Sequence, residues 1–215
     1  MKKTQFKKVN WIGLASGILL IAVTCLSIFY PWWQLKISDF VYANISPFNT
    51  NFSILGTIFL IPLLFAINIS SLLILTISSI LMIIYSINPT KSYSKQLLCW
   101  SYKKPLYIVI SFIVVLVVIT LLVQYIASQY ANVSINIPLM GTSVIQIPSE
   151  ILGGSGVEIG IAVSGSFQLP FWLAIVATAL CIAARLYHGR VAKAPKTEPA
   201  TATSPTETAA TDETT

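Results

Sequence analysis

Four stretches of this chain are so long and so poor in charge that they must pack against hydrocarbon or against one another. Trp11–Tyr30 runs for 20 residues without a charged side chain, and Phe52–Ile87 does so for 36. One helix needs about 20 predominantly apolar residues to cross the hydrocarbon layer of a bilayer. The composition agrees: 55% of the 215 residues are hydrophobic and only 9% are charged, with a mean hydropathy of +0.80. A soluble domain of this length carries about 25% charged residues, so this chain could not cover a water-facing surface. A soluble globular enzyme is excluded. The chain reads as an integral membrane protein.

Residues 1–10 are basic and precede the first apolar run. That resembles a signal peptide, whose apolar core is usually about 7–15 residues and ends at a small-residue cleavage site. Here the run is longer and ends in Phe29-Tyr30-Pro31-Trp32-Trp33, an aromatic belt suited to the membrane interface. A retained span over 11–30 is expected. The second run is too long for one simple span and too short for two with a turn. The lysines that follow it, Lys91, Lys95, Lys103 and Lys104, lie on the same side as the basic N-terminus only after a single crossing. One long helix over 57–87 is therefore expected, with Pro62 marking a kink or the join to an external segment. A third span is expected over 105–128, and a fourth over 169–188. Pro170 suits the first position of that fourth helix, where its missing N–H has no partner to lose.

Charge sets the expected orientation. All of the 13 cations except Lys36 fall at 1–10, 88–104 or 185–196, which the positive-inside tendency places in the cytoplasm. Both termini are then cytoplasmic in a multi-pass protein of a cell membrane. The external segments are 31–56 and 129–168, and 189–215 forms a cytoplasmic tail. The net charge of +6 is a topology signal, aided by anionic lipid head groups, and no nucleic acid is expected as a partner. Lys196–Thr215 is rich in Thr, Ala, Pro and Glu without apolar periodicity, so the tail is expected to be disordered. The bias to Ile, and to Lys over Arg, points to a prokaryotic or archaeal membrane.

The external segments carry their own pattern. Asn132–Ile137 and Val157–Ser164 alternate polar and apolar residues, as half-buried strands do. Ser143–Ile147, Trp33–Ser38 and Phe40–Ile45 are further candidates, and Gly153–Gly156 reads as a turn. The expected fold class is an integral membrane, mainly α protein: a four-transmembrane-helix bundle with a small extracellular β-sheet built from both external loops.

Several motifs bear on function. Asn44, Asn51 and Asn132 head Asn-x-Ser sequons in the external loops and are candidate N-glycosylation sites. Asn68 heads another, within the second span, where it should be unused. Gly13 and Gly17 form a GxxxG motif, and Ala174, Ala177, Thr178 and Cys181 make a small-residue stripe on the fourth span. Small residues let membrane helices approach closely, and packing within the bundle is preferred to oligomerisation. Asn68, Ser71 and Ser78 form a polar stripe on the second span. It reads more readily as interhelical hydrogen bonding than as the lining of a conduit. The segment 91–104 interleaves Tyr93, Trp100 and Tyr102 with four lysines and is expected to lie along the membrane surface.

Between their ends the spans hold no Asp, Glu, Lys or His, Arg185 and His188 standing at the close of the fourth, whereas pumps and ion paths usually need ionisable groups facing the bundle interior. Outside, Asp39, Glu150 and Glu158 read as solubilising charges. The three cysteines, Cys25, Cys99 and Cys181, show neither disulfide nor metal-ligand spacing. No enzyme activity, cofactor or metal is expected.

Four spans, cytoplasmic termini, a tryptophan pair after the first span and β-forming external loops resemble the layout of the claudin family. The longer second external segment resembles the tetraspanin order. The cysteine motifs of both families are missing, and no function is carried over from either. The expected function is that of a structural, scaffold or assembly component. Its partners would be the lipid bilayer and, through the sheet, itself or other membrane or envelope proteins. Trp32, Trp33, Tyr42, Ile159 and Ile161 are its candidate interaction surface. The alternatives are an accessory subunit of a membrane complex and a small facilitator for an uncharged solute.

Overall fold

A computed structural model of the protein describes residues 9–39, 41–54, 56–59, 62–130, 136–147 and 159–191. The elements run α1 (Trp11–Phe29), β1 (Trp33–Ile37), β2 (Val41–Ile45), β3 (Asn51–Ile54), β4 (Thr57–Phe59), α2 (Pro62–Ile87), α3 (Ser94–Tyr130), β5 (Gly141–Ile147), β6 (Ile159–Phe167) and α4 (Leu169–Val191). Asn132, the Gly153–Gly156 turn and the tail from 192 onward lie outside the described residues. Of the segment 132–137, only Asn136 and Ile137 are described, and neither is in a strand.

All four helices are long and apolar enough to cross a membrane. They form an up-and-down bundle in which α1 packs on α2, α2 on α3, α3 on α4, and α4 returns to α1. The outward faces stay apolar: Ile77, Val114, Val118 and Val176 are all exposed. That inverts the pattern of a water-soluble bundle and fits a mainly helical membrane protein.

Two helix starts differ from the sequence reading, each for a local reason. The opening of the 36-residue apolar run, before Pro62, is not helical, because β3 and β4 pair there as a hairpin, with Ile54 opposite Thr57. Gly56 turns that hairpin with a φ of 82°, a backbone region open mainly to glycine. α2 then begins at Pro62. Conversely, α3 starts at Ser94 and continues through Pro105, so most of the segment expected to lie flat along the membrane is its first three turns. Leu98, Ser101, Pro105, Val109, Phe112, Leu116 and Thr120 are all buried. Their spacing of three or four draws one continuous stripe along the helix. Pro105 removes a single backbone donor, and its ring sits within that packed seam.

Both segments that join helices at the sheet end contribute strands. Among the described residues the sheet has six, all antiparallel, in the order β4-β3-β2-β1-β6-β5. The central β1–β6 pair joins the two segments, with Trp33 opposite Phe167 and Ile37 opposite Val163. Alternation sends Trp33, Leu35, Ala43 and Val163 to the buried face, and Gln34, Lys36, Tyr42, Asn44, Ser164 and Ser166 to the other.

Candidate functional site

At the end of the bundle opposite the sheet, a buried polar network ties three helices together. Asn10 caps α1, its side chain accepting from the Gly13 N–H at 3.2 Å. The same carboxamide donates to the Tyr85 phenol oxygen at 2.9 Å and to the Ala184 carbonyl at 3.4 Å. The Asn10 N–H also donates to the Ser86 carbonyl, closing α1 onto α2. His188 Nδ1 lies 3.0 Å from the Tyr85 oxygen and accepts the phenol proton when the neutral imidazole carries its hydrogen on Nε2. Asn10 and Tyr85 are fully buried, so these bonds satisfy groups that have no access to water. The asparagine preceding an apolar run is a legible cap signal; its partners 75 and 174 positions away are not.

The small residues sit inside the bundle. A Cβ on Gly13 would collide with the Ser86 hydroxyl; one on Gly17 would stand 2.7 Å from Ile83 Cγ1 and 3.3 Å from the Ser79 carbonyl oxygen. Both glycines therefore face α2 across a close backbone approach. Ala174, Ala177, Thr178 and Cys181 are buried on α4, which packs between α1 and α3. The Thr178 hydroxyl has no hydrogen-bond partner among the described residues.

The tryptophan pair does not form a surface, and the expectation for these two residues is corrected: Trp32 is 1% exposed and Trp33 2%. Trp32 donates from Nε1 to the Ser27 hydroxyl at 2.7 Å. Its ring meets Phe48, Phe112 and Phe171 edge-on at centroid distances of 5.5, 5.1 and 6.0 Å. Its backbone bonds to both segments of the sheet end, the N–H to the Ile45 carbonyl and the C=O to the Gln168 N–H. Trp33 donates to the Leu139 carbonyl at 2.8 Å. The pair is a hub where bundle and sheet meet. Both indoles are buried with a partner for the N–H, whereas the sequence reading placed them in an interfacial belt and on an interaction surface. Ile161 is half-buried opposite Ile145. Of Ile159 only the strand position, opposite Ile147, is described.

Tyr42 lies on the polar face, opposite Lys36 and Ser53. Lys36 Nζ reaches Asp39 at 2.8 Å and the Tyr42 ring at 5.5 Å. The hydrogen bond from Lys36 holds the Asp39 carboxyl below its usual range, and its charge adds to that. The reciprocal bond and charge raise Lys36. Asn44 accepts from Gln34 Nε2 at 3.0 Å and stands opposite Asn51, so these two sequon asparagines are cross-strand neighbours on one face. The seven-residue strand β5 pairs only with β6 among the described residues, which leaves one long edge of the sheet without a partner strand there.

The polar stripe on α2 divides. Ser78 is buried, its hydroxyl donating to the Ile74 carbonyl at 2.8 Å. Asn68 fastens the turn between β2 and β3: in the amide orientation that satisfies both partners, Nδ2 donates to the Pro47 carbonyl at 3.3 Å and Oδ1 accepts from the Thr50 N–H at 3.0 Å. Only Asn68 and Ser71 border a cavity, a slot of about 230 Å³ between α2, α3 and that turn. Among the described residues no three His, Cys, Asp or Glu side chains come together to hold a metal ion. The chain matches no protein-family model and no curated protein sequence.

Proposed function

We propose that this is a non-enzymatic four-span protein of a cell membrane, with both termini in the cytoplasm and the sheet outside, acting as a scaffold or assembly component through that sheet. The observation that carries the reading is the sheet's construction. Two separate inter-helix segments are spent on one six-stranded surface that is seated on the bundle through the Trp32 hub and ends in the long edge strand β5. An open edge recruits another strand through main-chain hydrogen bonds, and the polar, nearly uncharged face around Tyr42, Asn44, Ser164 and Ser166 can lie against a partner without burying unpaired charge. Exposed Met140 and Val144 at the β5 edge add apolar contact area. The apolar outer faces of the helices support the membrane setting, and Lys91, Lys95, Lys103, Lys104 and Arg185, at the end opposite the sheet, support the orientation.

The partner is a second copy of the chain or another membrane or envelope protein. Extraction from native membranes in mild detergent, followed by size analysis and identification of co-purifying chains, tests the proposal. A defined oligomer or a stoichiometric complex that Val144→Lys disperses is the expected result. A strictly monomeric species that brings down no stoichiometric partner would overturn it.

A further inference from the structure

Lys103 and Lys104 stand at the border between two environments. Residues 105–130 carry no charged side chain, and at 1.5 Å per residue they rise about 39 Å, enough to cross a hydrocarbon layer of about 30 Å. The two lysines are therefore the last charges on α3 before the apolar span. Trp100, Lys103, Lys104 and Tyr107 follow the spacing i, i+3, i+4, i+7 of one helical face. That face is turned away from the buried stripe of Leu98, Ser101, Pro105 and Val109. Together with Cys99 these four line a notch of about 270 Å³. Trp100 and Tyr107 are 63% and 59% exposed, so the notch opens on the outer flank of the bundle.

The two cations have no protein counter-charge there. Among the described residues the only carboxylate is Asp39, which stands at the sheet end and is paired with Lys36. Lys104 instead lays its ammonium over the Trp100 ring, 5.2 Å from the centroid. That contact draws the charge back toward the start of α3, the end of the bundle opposite the sheet. An ammonium bordering hydrocarbon is costly without an anion, and a lipid phosphate at the membrane surface supplies one. A soluble phosphate would bring the same charge. The flank beyond the notch favours the lipid. Past Tyr107 it continues as exposed Ile110, Val114, Val118 and Leu121, in the direction in which α3 enters the apolar span. Chains attached to a phosphate in the notch would lie along this ridge and run toward the bilayer centre.

We infer that the notch is a binding site for one anionic phospholipid, its phosphate met by Lys103 and Lys104 and its head group bracketed by Trp100 and Tyr107. The inference rests on the bundle spanning a membrane and is independent of what the sheet contacts. It sets these two lysines apart from Lys91 and Lys95, which carry the same charge at the same end but line no part of the notch.

The test uses the full chain, delipidated in mild detergent and titrated with phosphatidylglycerol or phosphatidylcholine, bound lipid being counted by native mass spectrometry. The expected result is a first phosphatidylglycerol taken up in strong preference to phosphatidylcholine. Lys103→Gln/Lys104→Gln should lower that preference about thirtyfold, the worth of two lysines at an anionic surface. Lys103→Arg/Lys104→Arg should retain it. Lys91→Gln/Lys95→Gln removes the same charge and should leave it unchanged. An equal fall in both glutamine pairs would show diffuse attraction and overturn the site, as would a native chain that takes up the two lipids equally. Displacement of the lipid by inorganic phosphate would overturn the lipid as the source of the anion. If Lys103→Gln/Lys104→Gln does not fold, Lys103→Gln decides alone: its side chain is exposed, and an unchanged preference overturns the inference. Release of the protein from native membranes by alkaline extraction would defeat the membrane reading itself, an outcome distinct from equal uptake of both lipids.

Discussion

The phenol oxygen of Tyr85 lies 3.0 Å from Nδ1 of His188, a residue 103 positions further along the chain. This contact joins α2 to α4, and Asn10 joins both to α1, so the three helices share one buried network. Such networks gain from completeness and are costly when half satisfied. Tyr85→Phe would leave the Asn10 carboxamide nitrogen with the long Ala184 bond alone and remove the hydroxyl that faces His188. Thermal unfolding in detergent should show a loss of about 1–3 kcal/mol. Asn10→Ala should cost at least as much, since it also removes the helix cap. A Tyr85→Phe protein as stable as the native one would contradict the role given to this network.

Gly17 sets how closely α1 and α2 approach. Its missing side chain faces the backbone of Ile83 and Ser79, and backbone cannot rotate aside. Gly17→Ala should destabilise by about 1–3 kcal/mol, the usual cost of overpacking, and Gly17→Leu should prevent a monodisperse preparation. Gly189, whose Cβ position meets nothing within 4 Å, is the control: Gly189→Ala should be tolerated.

Trp32 carries both a hydrogen bond and three ring contacts. Trp32→Ala should cost about 3–5 kcal/mol, as large aromatic truncations in a packed core do. Trp32→Phe retains ring contact and leaves the Ser27 hydroxyl with its Val23 carbonyl bond, so its cost should be distinctly smaller. Equal melting curves for the two variants would argue against the hub.

The Lys36–Asp39 pair predicts a pH dependence of known sign. Asp39 is held below its usual range in the folded state, so its contribution is present above the unfolded carboxylate value and is lost as pH falls through the folded one. Lys36 is raised, so its contribution is present below the unfolded lysine value and is lost as pH rises through the folded one. The tie is complete only between these ranges. Both groups are exposed, and added salt should weaken it. A carboxyl titration followed by NMR should place the Asp39 midpoint below that of an unstructured aspartate, and Lys36→Met should move it upward. An unmoved midpoint would show that the pair does not form in solution.

How much of this was legible beforehand depends on the range of the interaction. The four helices and the alternating strands β1, β2, β5 and β6 show in the sequence because apolar periodicity is a local property. β3 and β4 did not, because they lie inside an apolar run whose composition suits a helix equally well. Only their pairing with β2 and with each other tells them apart. The first turns of α3 were hidden in the same way: Lys95, Lys103 and Lys104 mask a buried stripe whose partner, Met82 among others, lies on α2. The cap at Asn10 carries a local signal, an asparagine before an apolar run, which the sequence reading did not use. The fate of Asn68 was not, because a carboxamide in an apolar helix looks the same whether it lines a path or fastens a turn.

By itself, the sequence determined that the chain forms four long apolar helices and that all its cations but Lys36 fall in the segments flanking them at 1–10, 88–104 and 185–196, since hydropathy and charge are sums over neighbouring residues. The tertiary structure decided the rest. It placed Trp33 opposite Phe167, drew the two strand-forming segments into one sheet, buried the tryptophans proposed as a surface, and left Ser71 beside an open slot. Those outcomes rest on contacts between residues far apart in the chain, whose energies exist only once the helices have brought them together.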